Sequence, residues 1–543
     1  MDGEYIQTNE QINTTKTNPQ KIWSEYQKLV SYMEEKDVYN IVKKNEDFYD
    51  GRQWEGLPVS NTTYKATMNN LQRIGKYQIS MLSSNDIGMS IKTMLGNDNS
   101  LDFITNEVKD VIEQAKIKET SRLAIRDAFV GGSAYMHQTF DPDFETGQES
   151  KGRIENELVD CRRMLFGNPY SADIQKQPYI IIVLRQYIDQ VKEEARECGV
   201  SEDIIDEIKP DADENYDEDT GDKLVTVLVK YYKKKVKELF TKKVVDEFGN
   251  EIVITEEKEV KKVHFVKTTQ NVVIKEETNL DYTRYPISRM GWDNRKDSFL
   301  FDTPLTWNIA NQVFINKVYS YCHEYVAKSA YPKRIIDETK IDIEDWDSHN
   351  DIGVAGIDMM GKLFDISKMP DFSTQVLELI KLTEQEMEKN MGVNDAALGN
   401  IKPDNAKAIL VTQDAATVPL EIQRQNSYEM WEDTIRNIID IMIASYGIRQ
   451  FVDEQGTIGT ADYTQLKGLN YRLKIDISSS AQYSEIAQYE TLTNLYQGGG
   501  IDVLTFLKAM PDKLIANREM LIKAVEENQA AQQQLMAQMP QQQ

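Results

Sequence analysis

The sequence predicts an α+β fold with more than one packed region, and three observations support this prediction. The chain has 543 residues, which is more than one hydrophobic core usually organises. Apolar residues recur at helical spacing in residues 21–130 and again from Leu305 onward. Between these stretches, short runs that favour β-strands are bounded by Gly, Pro and Asn. Hydrophobic residues make up 40% of the chain, enough to fill cores along most of its length.

The first part of the chain is predicted to be helical. Residues 1–20 are polar and are predicted to be disordered, and Asp50-Gly51 supplies a turn after the first helical stretch. Apolar residues three and four positions apart predict helices over 21–48, 69–82 and 103–130.

The middle part is predicted to consist of strands from Gly131-Gly132 onward. The segment 246–250 reads as a hairpin loop, and 211–222 as an acidic loop. The predicted strands cover 133–140, 152–159, 178–184, 224–232, 236–245, 252–266 and 271–276.

The last part returns to helices. Pro419 lies inside the longest helical pattern, residues 405–446, and is expected to kink or break it. The remaining predicted elements are a helix at 305–330, a mixed module at 333–369, a helix at 374–391, a loop at 394–404, a strand at 470–478, helices at 483–496, 503–510 and 514–526, and a Gln-rich disordered tail at 529–543.

Cysteine, histidine and apolar content exclude several classes of protein. The three cysteines form no Cys-x-x-Cys pair, so they are expected to be buried thiols rather than disulfides or zinc ligands. None of the four histidines has a partner at ligand spacing, so no metal and no cofactor is predicted. The longest apolar run, residues 179–184, is too short to cross a membrane, and the N-terminus has no secretory pattern. A cytosolic product without membrane contact is predicted.

The net charge of −26 argues against a protein that holds nucleic acid tightly. Such a protein neutralises phosphates with a basic surface. Two interpretations remain: the chain never meets nucleic acid, or it meets nucleic acid without gripping it.

Three local patterns suggest chemistry, and each has a simpler explanation. Asp143, Glu149 and Lys151 mimic the carboxylate–lysine set of metal-dependent nucleases, but their spacing around a short turn is poor. The acidic residues of 211–221 resemble fragments of a calcium loop without its sixth-position glycine, which favours a hydrated loop. Lysines and tyrosines interleave in 230–235 as in single-strand binders, but cross-strand pairing with Glu256, Glu257 and Glu259 is favoured.

Neither a nucleotide-binding motif nor a nucleophile elbow is present. No Gly-x-x-x-x-Gly-Lys-Ser/Thr loop and no Gly-x-Ser-x-Gly elbow occurs in the sequence. Gly498-Gly499-Gly500 follows a predicted helix rather than a strand, so it is interpreted as a linker between helices. No catalytic residues are predicted.

The order of elements resembles that of the portal proteins of tailed bacteriophages. Two local phrases also resemble that family: Phe48 to Trp54, with its Tyr-Asp-Gly-Arg-Gln-Trp core, and Ala128 to Tyr135, which leads into a strand. The resemblance implies a portal fold with a wing, a stem, a clip, a crown and a long kinked helix. Its implied divisions are a disordered N-terminal arm (1–20), the wing (21–304), the first stem helix (305–330), the clip (331–372), the second stem helix (373–391), the tunnel loop (392–404), the long wing helix with its return strand (405–480), the crown (481–527) and a disordered tail (528–543).

The resemblance also implies partners and a location. About twelve copies would form a ring at one capsid vertex, in contact with major capsid and scaffold proteins, and double-stranded DNA would pass through its channel. The clip would dock the terminase large subunit and later the head–tail adaptors, which makes Lys333, Arg334 and Trp346 candidate contacts. In the tunnel loop and just beyond it, Asn394, Lys402 and Lys407 are candidate channel residues. The protein would assemble in the host cytoplasm and reside in the virion.

The acidic composition suits a conduit, because each phosphate neutralised by a cation would slow the movement of DNA. Two other functions stay open at this point. A scaffold or minor head protein would lack the stem–clip–stem order. A nuclease built on Asp143, Glu149 and Lys151 would cleave DNA in the presence of magnesium.

Overall fold

The computed structural model describes most of the chain. The described residues are 17–58, 64–83, 86–93, 102–146, 151–211, 223–245, 251–330, 333–337, 339, 351–354, 364–366, 373–393, 418–452, 458–463, 471–478, 492–510, 521–522 and 525.

Helices and strands are mixed along the described chain, in agreement with the predicted α+β class. The helices are α1 (Pro19–Glu35), α2 (Val38–Tyr49), α3 (Asn70–Ser83), α4 (Asp102–Gln114), α5 (Ile117–Gly131), α6 (Ile188–Glu197), α7 (Glu202–Ile205), α8 (Pro304–Ala330), α9 (Thr374–Asn390), α10 (Glu421–Ser445) and α11 (Val503–Ala509). The strands are β1 (Asp86–Thr93), β2 (Ser133–Asp141), β3 (Arg153–Asp160), β4 (Met164–Phe166), β5 (Tyr179–Tyr187), β6 (Leu224–Val245), β7 (Glu251–Thr268), β8 (Val273–Asn279), β9 (Ile287–Gly291), β10 (Asp293–Asn294), β11 (Phe301–Asp302), β12 (Arg334–Asp337), β13 (Asp351–Val354), β14 (Phe364–Ile366), β15 (Ile448–Val452), β16 (Ile458–Asp462) and β17 (Tyr471–Ser478).

Two antiparallel sheets form the centre of the molecule. One has five strands in the order β4-β5-β6-β7-β8, and the other has three in the order β3-β2-β9. The buried residues of α5 and α10 belong to the same continuous core as those of both sheets. On α10, Met430, Trp431 and Ile438 are fully or almost fully buried. We call this assembly of sheets and helices the body.

Gly132 marks the change from helix to strand because no other residue fits there. Its φ is +87°, in the left-handed region, and an added Cβ would lie 2.5 Å from the carbonyl oxygen of Phe301. A side chain would therefore collide with backbone rather than with a movable neighbour. The Gly131-Gly132 boundary in the sequence has this steric cause.

Two of the predicted helices are each broken into a pair. Asp37 separates α1 from α2 with φ of 56°, and Lys116 separates α4 from α5 with φ of 50°. Both are non-glycine residues in the left-handed region, which sequence patterns do not signal. The first helix begins at Pro19, where the side chain of Asn18 accepts hydrogen bonds from Gln20 N and Lys21 N.

The two-stranded sheet of β1 and β17, which are far apart in sequence, was not predicted. The predicted strand near residue 471 is present as β17, but it pairs antiparallel with β1 over eight positions. The strands β1, β9 and the helix α6 are absent from the predictions above.

The long helix predicted over 405–446 is described only from its second part. Val418 to Leu420 form one turn of 3-10 helix around Pro419, and α10 begins directly afterwards at Glu421. Proline therefore precedes the described helix instead of kinking its interior. Residues 405–417 lie outside the described residues.

Candidate assembly site

The helix α8 has two contrasting faces, and neither follows the usual amphipathic pattern. Its 27 residues span about 40 Å at 1.5 Å per residue. The face turned to the body carries polar amides among its apolar residues, whereas the outer face carries aromatic rings. A soluble helix normally buries its apolar stripe and exposes its polar one.

The buried face of α8 carries a polar ladder. We use that name for Asn308, Gln312, Asn316 and Ser320, which recur every four residues and are all at least 98% buried. A spacing of four places them one above another on successive turns. Buried amides and hydroxyls need partners, because an unsatisfied one costs about 1–3 kcal/mol.

The partner of the ladder is an extended segment, residues 64–69, which we call the strap. Ala66 N–H donates to Ser320 Oγ at 3.1 Å, and Met68 N–H donates to Asn316 Oδ1 at 3.0 Å. Asn70 N–H, at the start of α3, donates to Gln312 Oε1 at 3.2 Å. The Gln312 amide also donates to the carbonyl of Met68. The helix thus bonds alternate residues of the strap, as a neighbouring strand would.

The strap is held from its other side by the sequence phrase that resembled portal proteins. Gln53 Nε2 donates to the carbonyl of Phe48 at 2.8 Å, and Gln53 Oε1 accepts from Asn316 Nδ2 at 2.6 Å. Trp54 Nε1 donates to the carbonyl of Ala66 at 3.1 Å. The Gln-Trp pair therefore ties the end of α2 to the strap and to α8.

The outer face of α8 carries an aromatic stripe. Trp307 is 62% exposed, Phe314 36% and Tyr321 60%. These three residues are seven positions apart, a spacing that keeps side chains on one side of a helix with a drift of about 20° per repeat. Large aromatic side chains are strongly stabilised by burial, so an exposed row of them marks an interaction surface.

The helix α9 packs beside α8 and presents a smaller apolar patch. Ile380 and Met387 are buried on the side of the helix that faces the rest of the chain. Leu379 and Leu382 are about half exposed and lie one turn apart on the same side of the helix.

The helix α3 links α9 to the strap. Asn70 Nδ2 donates to Glu384 Oε1 at 3.1 Å, and Arg73 pairs with Glu388 at 2.9 Å. The strap and the first residues of α3 therefore hold both α8 and α9 in place.

The end of α9 and the start of α10 meet at one point. The side chain of Gln78 donates to the carbonyl of Met391, and Val393 and Leu420 are both buried. Gly392 has φ of +71°, and a Cβ there would lie 3.0 Å from Cβ of Pro419. The candidate channel residues Asn394, Lys402 and Lys407 belong to the intervening part of the chain, outside the described residues.

The predicted clip contains a small sheet with β12 in the centre. The strand β13 pairs parallel with it and β14 antiparallel. Lys333 and Arg334 are exposed at its start, and Ile352 and Ile366 are exposed on its outer strands. The third candidate contact, Trp346, lies outside the described residues.

Most lysines of 230–237 pair with carboxylates of neighbouring elements, and Lys233 donates to Gln175 instead. Lys235 pairs with Glu259 at 2.8 Å and Lys237 with Glu257 at 3.3 Å, across the ladder between β6 and β7. Lys230 pairs with Glu25. The predicted cross-strand pairing is therefore confirmed for Glu257 and Glu259, whereas the side chain of Glu256 lies outside the described part of the chain.

Buried ionisable groups in the body stabilise its packing. Asp440 on α10 accepts from Thr283 N at 2.7 Å and from Arg284 N at 2.9 Å, and burial raises its pKa. Burial lowers the pKa of His137 to about 4, and its ring contacts Tyr231 Oη at 2.9 Å. His137 lies inside the core, whereas Asp440 is only half-buried.

The described residues supply no metal-binding group. Within those ranges, no three His, Cys, Asp or Glu side chains are placed to hold an ion. Asp143 lies in the turn after β2 and Lys151 pairs with Glu145 at 3.5 Å, while Glu149 lies outside the described residues. Residues 212–222 of the predicted acidic loop 211–222, which resembles fragments of a calcium loop, also lie outside them.

The three cysteines and the Gly498–Gly500 segment can be compared with their predictions. Cys161 is buried as predicted, but Cys198 is exposed and Cys322 half-buried, and all three are free. Gly498 to Gly500 follow helical residues 492–497 and precede α11, as expected for a linker. Among the described helices, none is long and apolar enough to cross a membrane.

The fold and its outward aromatic helix define a structural subunit with a surface suited to assembly. A family model described as "Phage P22-like portal protein" matches residues 29–543, and the chain belongs to this family. It is therefore a portal protein, a structural component of the phage capsid, as the resemblance implied.

Two further comparisons accompany the family match. No curated protein matches the chain. A chain from a structure titled "Virion of native gene transfer agent (GTA) particle" is similar at a TM-score of 0.36 and 10% identity, covering 85% of this chain and 99% of that one.

Proposed function

We propose that about twelve copies of this chain close into a ring at one capsid vertex and that the axial channel passes double-stranded DNA during packaging and ejection. The observation that carries the proposal is the aromatic stripe of α8. Trp307, Phe314 and Tyr321 are exposed in the single chain, although the opposite face of the same helix is firmly held to the body.

The stripe needs a different surface on the next copy. In a closed ring each contact is heterologous, so one chain must carry two complementary patches. The pair Leu379 and Leu382 on α9 is such a second patch, exposed and apolar on the neighbouring long helix. In the closed assembly, the aromatic stripe packs against the side of the adjacent copy that carries these two leucines.

The divisions implied by the resemblance give the remaining roles. Residues 305–330 and 373–391 are the two stem helices, and 331–372 are the clip that docks the terminase large subunit and later the head–tail adaptors. Lys333, Arg334 and Trp346 are the proposed contacts there. The body, within 21–304, contacts major capsid and scaffold proteins. No catalytic step is assigned to the chain.

The channel is proposed to act by weak contact. The net charge of −26 keeps phosphate binding low, which allows DNA to slide. Asn394, Lys402 and Lys407 would supply intermittent contacts in the tunnel loop and just beyond it. Particles carrying Lys402→Ala are expected to retain their genome with an altered dependence on salt, and unchanged retention would remove this contact.

Assembly is tested by removing the stripe. The wild-type protein is expected to scatter light with about twelve times the 62.5 kDa chain mass and to show rings with a central hole in negative stain. The triple variant Trp307→Ser, Phe314→Ser, Tyr321→Ser is expected to remain monomeric. A matched control is Tyr170→Ser, which removes an aromatic residue of similar exposure from the body.

Either of two results would contradict the proposal. A triple variant that forms rings as well as the wild type would show that the stripe is not an interface. A wild-type protein that stays monomeric at every concentration, with or without scaffold protein, would contradict the ring itself.

A further inference from the structure

The aromatic stripe of α8 is one half of a heptad pattern. Trp307, Phe314 and Tyr321 recur every seven residues, and Ala310 and Lys317 each follow an aromatic residue by three positions. Residues that alternate by three and four positions form a continuous line on a helix, which packs along a second helix at a shallow angle. We call this line the α8 seam.

The exposed side of α9 has the same spacing. Five exposed residues alternate along it by four and three positions, namely Gln375, Leu379, Leu382, Glu386 and Lys389. Ile380 and Met387, which are buried, lie to one side of this line. We call the line the α9 seam.

The two helices run in opposite directions, because they are connected at two points. Asn70 donates from its N–H to Gln312 at 3.2 Å and from its side chain to Glu384 at 3.1 Å. In the small sheet, Arg334 pairs with Ile366, and these residues lie shortly after the end of α8 and shortly before the start of α9. The C-terminus of α8 and the N-terminus of α9 therefore lie at the same end of the pair.

These connections determine which residues of α8 and α9 lie level. Asn70 joins position 312 to position 384, and on antiparallel helices the residue number rises along one as it falls along the other. Phe314 is then level with Leu382, and Lys317 with Leu379. The same count matches the remaining seam residues as Trp307 with Lys389, Ala310 with Glu386 and Tyr321 with Gln375. The level set by Asn70 therefore agrees with the heptad spacing of both seams.

Rotation about the axis of a ring keeps every residue at its own height along that axis. With α8 and α9 running along the channel as stem helices, residues that are level within one chain are also level between neighbouring copies. Within one chain the two seams do not meet, because α8 and α9 pack side by side and leave both seams exposed. In the ring, the α8 seam of one copy meets the α9 seam of the next copy in this register.

One charged residue on each helix is left without an ion pair. Lys317 lies in the α8 seam between Phe314 and Tyr321, and among the described residues it has no ion-pair partner. Glu378 on α9 is exposed and has none among them either. The other three carboxylates of α9 are bonded within the chain, as Glu384 to Asn70, Glu386 to Lys389 and Glu388 to Arg73.

Glu378 borders the position that Lys317 reaches in this register. In coiled-coil packing, each seam residue fits between four residues of the facing helix. For the residue level with Leu379, these four are Gln375, Glu378, Leu379 and Leu382. A lysine can cover leucines with its alkyl chain while its ammonium group extends to a carboxylate at the edge.

We propose that Lys317 of one copy forms an ion pair with Glu378 of the next copy and that this pair fixes the register between α8 and α9. A charged residue within an apolar seam specifies register, because any other alignment leaves it without its partner. This inference rests on the proposed ring and names the residues that align neighbouring copies.

Charge reversal tests the pair. Lys317→Glu and Glu378→Lys each bring like charges together, and each is expected to raise the protein concentration at half-assembly by about tenfold or more. The double variant restores opposite charges and is expected to assemble like the wild type. The melting temperature of the monomer is expected to stay unchanged in all three. Lys118→Glu, at an exposed position of the body, is the matched control and is expected to assemble normally.

A mixture of the two single variants distinguishes a pair between copies from a pair within one chain. When the two variants alternate around a ring, every contact again joins opposite charges. Rings are expected from the equimolar mixture at concentrations where neither variant assembles alone. Native mass spectrometry of these rings is expected to find the two variants in equal numbers.

The outcomes separate the pair from the ring. Normal assembly of both single variants, or single variants that neither the double variant nor the mixture rescues, would overturn the pair and leave the ring intact. Rescue by the double variant without rescue by the mixture would also overturn it, because the pair would then lie within one chain. A wild-type protein that is monomeric at all concentrations, with or without scaffold protein, would overturn both.

Discussion

The two long helices α8 and α10 contrast in how their apolar residues are covered. On α10, Met430, Trp431 and Ile438 pack into the body against β2 and β9. On α8, the residues nearest the body are the amides of the polar ladder, and Trp307 and Tyr321 point outward. Within the described residues, most large apolar side chains of α10 are covered by the chain itself, whereas Trp307 and Tyr321 of α8 stay exposed.

This difference separates stability of the subunit from stability of the assembly. Residues of α10 contribute to folding of the monomer, whereas the proposed ring assigns the aromatic residues of α8 to the contact between copies. The polar ladder explains how this is achieved, since it fixes α8 by hydrogen bonds and leaves its aromatic rings free for a neighbour.

The largest expected effect compares two tryptophans. Trp431→Ala on α10 is expected to lower the free energy of unfolding by about 3–5 kcal/mol, because it removes a large buried ring. Trp307→Ala on α8 is expected to change it by less than about 0.5 kcal/mol. Urea denaturation of both variants is measured where light scattering shows monomers. Equal losses would mean that α8 is covered within the monomer.

The second prediction uses pH to measure how well water is excluded from the core between β2 and β6, where His137 contacts Tyr231. The pKa of His137 is lowered to about 4 in the folded protein, against about 6.5 when unfolded. Above pH 6.5 the residue is neutral in both states. As pH falls towards 4, only the unfolded state gains a proton, and the stability falls by about 3 kcal/mol.

His137→Gln is expected to remove this part of the pH dependence of the free energy of unfolding. Denaturant titrations at several values between pH 7 and pH 4 measure this dependence. His323→Gln, at an exposed position on α8, serves as the matched control and keeps the wild-type slope. A His137→Gln variant with the wild-type slope would mean that water reaches this part of the core.

The third prediction concerns the polar ladder. Asn316→Ala removes the hydrogen bonds to Met68 N and Gln53 Oε1 and leaves Met68 N–H without its acceptor. A loss of about 2 kcal/mol in the free energy of unfolding is expected. Asn311→Ala, on the same helix but half-buried and bonded only to Asn308, is expected to cost less than about 0.5 kcal/mol. Similar values for the two variants would exclude a special role for the ladder.

The smallest effect is expected where the chain passes from α9 towards α10. Gly392→Ala places a side chain at a left-handed φ of +71° and brings its Cβ to 3.0 Å from Pro419. The free energy of unfolding is expected to fall by about 1–2 kcal/mol. Gly447→Ala has a similar φ of +62° and open space around it, so it measures the backbone part alone. The difference in melting temperature between the two variants measures the cost of the contact with Pro419. Equal melting temperatures would show that Pro419 moves away without cost.

Local elements were predictable to the extent that they depend on neighbours in sequence. The helix α9 follows the predicted apolar spacing, with Ile380, Met387 and Met391 buried. The breaks at Asp37 and Lys116 were missed, because left-handed residues other than glycine leave no pattern. The pairing of β1 with β17 was missed because it joins segments nearly four hundred residues apart.

The candidate site was only partly predictable, for a different reason. The sequence predicted a helix over 305–330, which the resemblance implied to be the first stem helix, but it did not indicate that Trp307, Phe314 and Tyr321 form an exposed row. Polar residues every four positions are usually the solvent face of a helix, so the polar ladder was not recognised. Three amides and one hydroxyl at intervals of four residues, over about three turns, were the signal that could have revealed it.

The polar ladder is limited in length, because the spacing of its side chains along the helix differs from the spacing of alternate residues along the strap. Four residues of helix rise about 6.0 Å, whereas two residues of an extended chain cover about 6.6 Å. The two scales therefore drift apart by about 0.6 Å with each rung. After Ser320, Asn316 and Gln312 the strap ends and α3 begins, and Asn308 bonds instead to the carbonyl of Pro304. A helix can therefore hydrogen-bond an extended segment, as a strand does, over three consecutive contacts. In this protein the extended segment ends after the third contact, where the accumulated difference in spacing reaches about 2 Å.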